Sequence, residues 1–331
     1  MRLSDDCFKS PSVIRDGTYE RQLAKLRKDL GEVFLAALAD PSTVEICLNA
    51  DGTLWQERLG EPLQPIGTMS ASCADAAMRT IAAYHLATLT RDDPSIECEL
   101  PLDGSRFAGQ IPPIVTAAVF AVRKRASRVF TLQQYVDAAI LTPEQQDFLC
   151  GAILDHRNIL AIGGTGGGKT TLLNALIHEL TDQYPNERLV IIEDTAEIQC
   201  AAKNYVQYHT SPDRPMTQLV RMALRMRPDR ILVGEVRGPE ALDLLMSWNT
   251  GHEGGIATLH ANNAAAGLNR LSTLVAMHPN APRGMIESLI GEAVDVIVHI
   301  ARTDKGRVVR EILTVSDFDR PNQIYNLKPA A

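Results

Sequence analysis

The spacing of apolar residues over the first 130 positions predicts a small α+β domain. Apolar positions at helical spacing predict a helix that ends before Asp40-Pro41. Hairpin turns are expected at Asp51-Gly52 and Asp103-Gly104, with a second helix over residues 74–89 and a strand over 117–122. The order helix, hairpin, helix, hairpin favours an antiparallel sheet backed by helices.

The pattern changes after residue 130, where short apolar runs alternate with helical segments. Thr142-Pro143 is typical of a helix start, because threonine caps and proline fits the first helical position. The alternation predicts a mostly parallel sheet, closed by a late antiparallel hairpin. The expected strands are 159–162, 189–192, 230–233 and 255–259, and the hairpin pairs 295–300 with 308–314.

A glycine-rich turn between the first of these strands and its helix fits the phosphate-loop pattern G-x-x-x-x-G-K-[ST]. Such a turn directs backbone N–H groups at a phosphate, and the helix N-terminus adds partial positive charge. Lysine then reaches the β- and γ-phosphates, and the first threonine can ligate Mg²⁺. A glycine-rich turn that binds nothing would have no need of Lys-Thr at the helix start. The predicted nucleotide-binding residues are Gly163, Gly164, Thr165, Gly166, Gly167, Gly168, Lys169, Thr170 and Thr171.

The sequence thus predicts an α/β fold, with a C-terminal RecA-like P-loop NTPase domain and a smaller α+β N-terminal domain. We expect the N-terminal domain over residues 1–130, a linker over 131–141 and the P-loop domain over 142–331.

Polar side chains follow three of the predicted strands at their carboxyl ends, where open α/β sheets bind ligands. They are Glu193-Asp194 with Glu197, Glu235, and His260. Each one alone could be a solvated loop charge, but together they suit the positioning of water and the stabilisation of phosphate charge. Phosphate-loop ATPases often have Asp-Glu at the second of these strand ends, whereas this chain has Gly234 before Glu235. We expect the neighbouring carboxylates to supply the missing negative charge.

Composition narrows the function classes. The chain has 331 residues, a net charge of −7 and 45% hydrophobic residues, values typical of a globular protein. The acidic balance argues against a protein that coats nucleic acid. Its six cysteines form no C-x-x-C pair, which favours free thiols over a zinc site. No signal peptide and no membrane helix are predicted, so we expect any membrane association to be peripheral.

Four motifs together resemble the secretion ATPase superfamily: GGTGGGKTT, IIEDTAEI, RMRPDRILVGEVRG and TGHEGGIATLHAN. Within it the chain most resembles the hexameric ATPases of type IV secretion and conjugation, particularly the TrbB-type conjugal-transfer ATPases. The stretches DPSTVEICLNADGTLWQER, DGSRFAGQIPP and AVRKR extend the resemblance over nearly the whole chain. Many type II secretion and pilus ATPases carry a four-cysteine zinc module, and its lack here favours the type IV branch.

The resemblance implies roles for the residues at the strand ends. Glu235 would be the catalytic base, and His260 would contact the γ-phosphate. Glu193, Asp194 and Glu197 would form an acidic box, in which Glu193 and Asp194 join Thr170 around Mg²⁺ while Glu197 assists catalysis.

The resemblance also implies roles for five arginines. Arg106 and Arg123 match N-terminal-domain arginines that reach toward the nucleotide in this family. Arg225, Arg227 and Arg237 are candidates for contacts between subunits. The alternatives are a solvated basic edge around Arg123 and charge pairing at a helix end for Arg225 and Arg227.

The implied function is Mg²⁺-dependent ATP hydrolysis by a homo-hexameric ring that powers type IV secretion or conjugative transfer. The ring would lie in the cytoplasm against the inner face of the membrane, with inner-membrane and ATPase components of the transfer machine as partners. No direct nucleic-acid contact is expected. A nucleic-acid translocase on the same core and a non-catalytic nucleotide-gated scaffold remain as alternatives, and the preference for ATP over GTP rests on the resemblance alone.

Overall fold

The computed structural model describes residues 17–124, 129–211, 213–304 and 306–330. The chain divides into two compact units, Met1–Ser127 and Arg128–Ala331. No helix in the described ranges has the length and apolar composition needed to cross a membrane.

In its described residues, the first unit is the predicted antiparallel sheet with two helices. Its elements are α1 (Gly17–Ala39), β1 (Thr43–Leu48), β2 (Thr53–Arg58), β3 (Gln64–Thr68), α2 (Ala71–Tyr84), β4 (Ser95–Glu99), β5 (Arg106–Gln110) and β6 (Val119–Arg123). The strand order is β3-β2-β1-β6-β5-β4. Three buried aromatic rings lie in its core, where Phe120 contacts Phe34 and Phe107 at centroid distances of 5.7 and 5.5 Å. The first helix was predicted as continuous but is interrupted at Gly31, whose φ is +76°.

The second unit is an eight-stranded sheet with helices on both faces. Its helices are α3 (Leu132–Asp137), α4 (Pro143–Leu154), α5 (Lys169–Gln183), α6 (Met216–Ala223), α7 (Glu240–Trp248), α8 (Ala264–Ala276) and α9 (Ile286–Ala293), with a 3₁₀ turn at Leu224–Met226. Its strands are β7 (Ile159–Gly163), β8 (Leu189–Glu193), β9 (Tyr205–His209), β10 (Arg230–Val233), β11 (Ile256–His260), β12 (Val296–Thr303), β13 (Gly306–Asp319) and β14 (Ile324–Pro329).

The strand order in this unit is β14-β13-β12-β7-β11-β10-β8-β9. The six strands from β12 to β9 are parallel, and β13 and β14 join antiparallel. Alternate residues of β7 enter different cores: Leu160 and Ile162 pack with α6 to α9, whereas Ile159 and Ala161 pack with α3 to α5. Burial on both faces explains why the central strands are almost wholly apolar.

The predicted strands of the P-loop domain are all present, and the sequence analysis missed β9 and β14 at the two edges. Both edge strands mix polar with apolar residues and are only partly buried, so they lack the apolar run that marks a central strand. Residues 131–141, expected as a linker, belong to the second unit. Three apolar side chains of this segment are buried in the core of that unit, so the segment packs against it instead of forming an exposed linker. They are Leu132, Tyr135 and Leu141.

Candidate nucleotide-binding site

The phosphate loop joins β7 to α5, and its backbone geometry requires glycine at two points. A Cβ atom on Gly163 would lie 2.3 Å from the carbonyl oxygen of Ile300 on neighbouring β12. Gly168 has a φ of +97°, and a Cβ there would lie 2.8 Å from Cδ of Arg307. These glycines let the chain turn tightly between a buried strand and the first residue of α5, Lys169.

Lys169 is buried and lies against both the loop and the next strand. Its Nζ donates to the carbonyl oxygen of Gly164 at 3.1 Å and lies 3.3 Å from Nε2 of His260. This proximity follows from strand order, since β11 lies beside β7 with His260 opposite Gly163. Lys169, the predicted phosphate-binding residue, and His260, the residue predicted to contact the γ-phosphate, therefore lie next to each other.

Glu235 follows β10 and links His260 to an arginine. Its Oε1 is 3.1 Å from Nε2 of His260, and its Oε2 accepts a 2.8 Å hydrogen bond from Nη2 of Arg237. Nη1 of Arg237 in turn donates to Asp194 at 3.2 Å. The hydrogen bond to Glu235 raises the pKa of the Arg237 guanidinium above its ordinary value. Arg237, predicted as a contact between subunits, thus binds two acidic side chains of its own subunit.

The two acidic residues at the end of β8 have different surroundings. Glu193 is buried, and its Oε2 accepts the backbone N–H groups of Glu197 and Ile198 at 2.8 and 2.9 Å. Asp194 is exposed and accepts a hydrogen bond from Oγ1 of Thr210 at 3.1 Å. The Glu193 carboxylate therefore holds the chain segment that carries Glu197, whereas Asp194 faces solvent. The expectation that both ligate Mg²⁺ stays a prediction.

Gly234 occupies the position where phosphate-loop ATPases often have an aspartate, and packing explains the difference. A Cβ on Gly234 would lie 2.9 Å from Cβ of Glu193 on the adjacent strand. The space beside the strand end is filled by a carboxylate residue from β8, so β10 cannot supply one from that position.

We therefore expect Gly234→Ala to destabilise the second unit by about 1–3 kcal/mol, because the added methyl forces a packed strand pair apart. Gly151→Ala is the matched control, since a Cβ at that position in α4 meets no atom within 4 Å. Urea unfolding in a Trp55→Phe background, followed by the fluorescence of buried Trp248, measures the difference. Equal unfolding midpoints for both variants would contradict the packing argument.

The predicted arginines outside the loop lie in different parts of the chain. Arg106 on β5 and Arg123 on β6 lie directly opposite each other in the first unit, and Arg106 is 3.6 Å from a Glu97 oxygen. Arg225 and Arg227 are exposed around the 3₁₀ turn that precedes β10. Their roles toward the nucleotide stay predictions.

Arg307 and Gln207 contact site residues and were missed by the sequence analysis. The side chain of Arg307 packs on Gly168 of the phosphate loop, and Nε2 of Gln207 donates to Oε1 of Glu193 at 2.5 Å. The sequence feature that could have identified Arg307 is its position just after the predicted hairpin turn, at the start of a strand that returns toward the phosphate loop. Gln207 lies on β9, which carried no strand signal.

The site has the chemistry for a magnesium–nucleotide complex. A lysine and a glycine loop at a helix N-terminus suit phosphates, and hydroxyl and carboxylate oxygens suit Mg²⁺. The residues predicted to hold the ion beside the phosphates are Thr170, Glu193 and Asp194. Within the described part of the chain, no group of three or more His, Cys, Asp or Glu side chains is arranged to hold a metal by itself.

Comparisons with known proteins identify the family of this chain. Residues 76–322 match the family described as type II/IV secretion system protein. The chain is 46% identical over 301 residues to a probable conjugal transfer protein TrbB of Sinorhizobium fredii, covering 91% of this chain and 92% of that protein. It is 33% identical over 299 residues to a type IV secretion system protein PtlH homolog of Bordetella bronchiseptica, covering 80% and 87%.

Among solved structures, the ATPase DotB of Legionella pneumophila is similar in fold. The TM-score is 0.61 at 22% identity, with 95% of this chain and 84% of that chain covered. The family match over most of the chain and the TrbB similarity over nearly its full length establish the relationship. The chain belongs to the type II/IV secretion system protein family of ATPases.

Proposed function

We propose that this chain hydrolyses ATP with Mg²⁺ as a hexameric ring and thereby powers conjugative transfer through a type IV secretion machine. The observation that carries the proposal is the continuous series of polar contacts from Lys169 through His260, Glu235 and Arg237 to Asp194. This series connects the phosphate loop with a carboxylate suited to act on water, which is the combination that phosphoryl transfer to water needs.

Each residue has a separate task in this mechanism. Lys169 and the loop N–H groups hold the β- and γ-phosphates, and Thr170 adds a hydroxyl beside them. Bound Mg²⁺ would neutralise developing charge on the phosphate oxygens. Glu235 orients the attacking water and accepts its proton, while Arg237 keeps the carboxylate in place. His260, which lies 3.1 Å from Glu235 and next to Lys169, is the proposed contact to the γ-phosphate.

A ring suits this chemistry because an arginine from a neighbouring domain or subunit can complete the charge balance of the transition state. Arg106 and Arg123, side by side on β5 and β6, are the proposed donors. The proposed biological role is inferred from the relatives, which include conjugal transfer and type IV secretion proteins. The proposed location is the inner face of the cytoplasmic membrane, next to inner-membrane and ATPase components of the machine.

We expect the specific activity for Mg²⁺-dependent ATP hydrolysis to rise cooperatively with protein concentration, because neighbouring subunits complete each site. The measurement is steady-state hydrolysis over a dilution series, with the mass of the assembly determined at each concentration. A six-subunit species that appears together with activity supports the proposal.

Activity that stays constant per subunit in a purely monomeric sample would overturn the ring. Hydrolysis that appears only with added single-stranded DNA would favour a nucleic-acid translocase. Tight ATP binding without turnover would favour a nucleotide-gated scaffold.

A further inference from the structure

Residues 194–199, which follow β8 and carry Asp194 and Glu197, form what we call the acidic loop. It contains no regular helix or strand. The functional value of its carboxylates depends on where they are held, because a carboxylate displaced by about 1 Å loses much of its effect on a reacting group.

On one side, the acidic loop is fixed by a buried asparagine of the phosphate-loop helix. Asn174 of α5 is 1% exposed, and its side-chain amide spans the loop. Its Nδ2 donates to the carbonyl oxygen of Glu197 at 3.3 Å, and its Oδ1 accepts the backbone N–H of Gln199 at 3.0 Å. The acidic loop thus provides a hydrogen-bond partner for both the Nδ2 and the Oδ1 atom of Asn174. Asn174 itself lies five positions after Lys169 in the chain.

On the other side, the loop is fixed by Glu193 and the edge strand β9. The Glu193 carboxylate accepts two loop N–H groups through Oε2, as described above. Gln207 of β9 donates from Nε2 to Oε1 of Glu193 and also to the carbonyl oxygen of Ile198 at 3.1 Å. Nε2 of His209, two positions along the same strand, is 3.4 Å from Oε1 of Glu193.

The hydrogen bonds to the acidic loop explain why a polar side chain occupies the buried position 174. Asn174 interrupts an otherwise apolar stretch of α5 in which residues 172, 173, 175, 176 and 177 are fully buried. Leucine has the same side-chain branching and number of heavy atoms, so the shape of the side chain alone gives no reason for an amide there. A buried amide is retained where each of its groups has a partner, and here both partners belong to the acidic loop.

We propose that Asn174 and Gln207 are positioning residues that hold the acidic loop against the phosphate-loop helix, so that its carboxylates stay aligned with bound nucleotide. Asn174 connects the loop to the helix that begins with Lys169, and Gln207 connects it to the sheet through Glu193. Neither residue touches the nucleotide in this scheme. The inference rests on the proposed ATP hydrolysis for its effect on rate, but the hold on the loop exists without nucleotide.

The test compares Gln207→Met and Asn174→Leu with the parent, using Gln218→Met as the control, because Gln218 is an exposed residue of α6. The first measurement is hydrogen exchange of the amides of residues 197–199 in the nucleotide-free full chain. Loss of either amide should speed exchange at these positions by on the order of 10-fold, with the strands of the second unit unchanged. Outer partners of a site typically influence activity 10–100-fold, so kcat should fall by about 10-fold or more.

The binding constant for ADP should change less than about threefold, because the phosphate loop is untouched. A fall in kcat without a change in ADP affinity is the signature of positioning, whereas a structural defect would lower both. Because Asn174→Leu lies in the core, Gln207→Met on the partly buried edge strand decides the matter if the former fails to fold.

Gln207→Met with parental exchange at residues 197–199 would overturn the hold on the loop. Faster exchange with parental kcat would overturn its role in positioning. If the parent hydrolyses no ATP, the proposed function fails, while the exchange difference between Gln207→Met and Gln218→Met still decides whether the loop is held.

Discussion

Replacing Glu235 with glutamine should lower kcat for ATP hydrolysis by about 10²–10⁴-fold, the range typical for loss of a general base. The substitution keeps the size of the side chain and removes its charge. The amide cannot accept a proton from water, and it weakens the contacts to Arg237 and His260, which lie 2.8 and 3.1 Å from the carboxylate. Because Arg237 retains Asp194 as a partner, the local structure should persist.

Nucleotide binding is the readout that separates catalysis from folding in this variant. The affinity for ADP and for a non-hydrolysed ATP analogue should stay within about threefold of the parent, since the loop and Lys169 are unchanged. Glu253→Gln is the matched control, because Glu253 is an exposed carboxylate that precedes the opposite end of β11 from His260. A Glu235→Gln chain with more than about one third of the parental kcat would exclude Glu235 as the base.

The parts of the fold that the sequence predicted correctly are those encoded by neighbouring residues. The apolar run before Gly163 and the apolar spacing after Lys169 lie within a few residues of the phosphate loop, so strand, turn and helix could be placed. The common location of Glu193, Glu235 and His260 at the strand ends could also be predicted, because parallel strands present their carboxyl ends at one edge of the sheet.

The contacts that could not be predicted join residues far apart in the chain. Gln207 lies 14 positions from Glu193, and Asn174 lies 25 positions from Gln199. Periodicity marks a residue as buried or exposed but does not reveal which distant polar group it meets. From the sequence, Gly234 could be interpreted only as the lack of an aspartate. The structure shows that a glycine is needed there because the Glu193 side chain on the next strand leaves no room for a larger residue.

Arg230 is a second case in which the sequence predicted a strand but not its chemistry. Its side chain is 1% exposed at the start of β10, on the edge of the sheet opposite the phosphate loop. Nε donates to Oε2 of Glu187 at 2.6 Å, and Nη1 donates to the carbonyl oxygen of Ile153 at 3.2 Å. The guanidinium also lies over the ring of Tyr184, 4.7 Å from its centroid. Glu187 thus balances a charge that water does not reach.

Glu187→Leu should therefore destabilise the second unit by about 3–5 kcal/mol, the cost of leaving one partner of a buried ion pair alone. The loss of the contact between Glu187 and Nε2 of His156, at 2.9 Å, adds to the effect. Urea unfolding in a Trp55→Phe background measures it, because Trp248 is then the one tryptophan of the chain. Glu292→Gln, on the exposed face of α9, is the control for removing a carboxylate.

The double variant Arg230→Met/Glu187→Leu tests whether the cost comes from the stranded charge. Replacing both members of a buried pair with apolar groups of similar volume is often neutral, so the double variant should regain most of the stability that Glu187→Leu loses. Recovery would identify electrostatic desolvation as the cause. A double variant no more stable than Glu187→Leu would assign the loss to packing and to the Arg230 contacts with Ile153 and Tyr184, and would contradict the charge-balance argument.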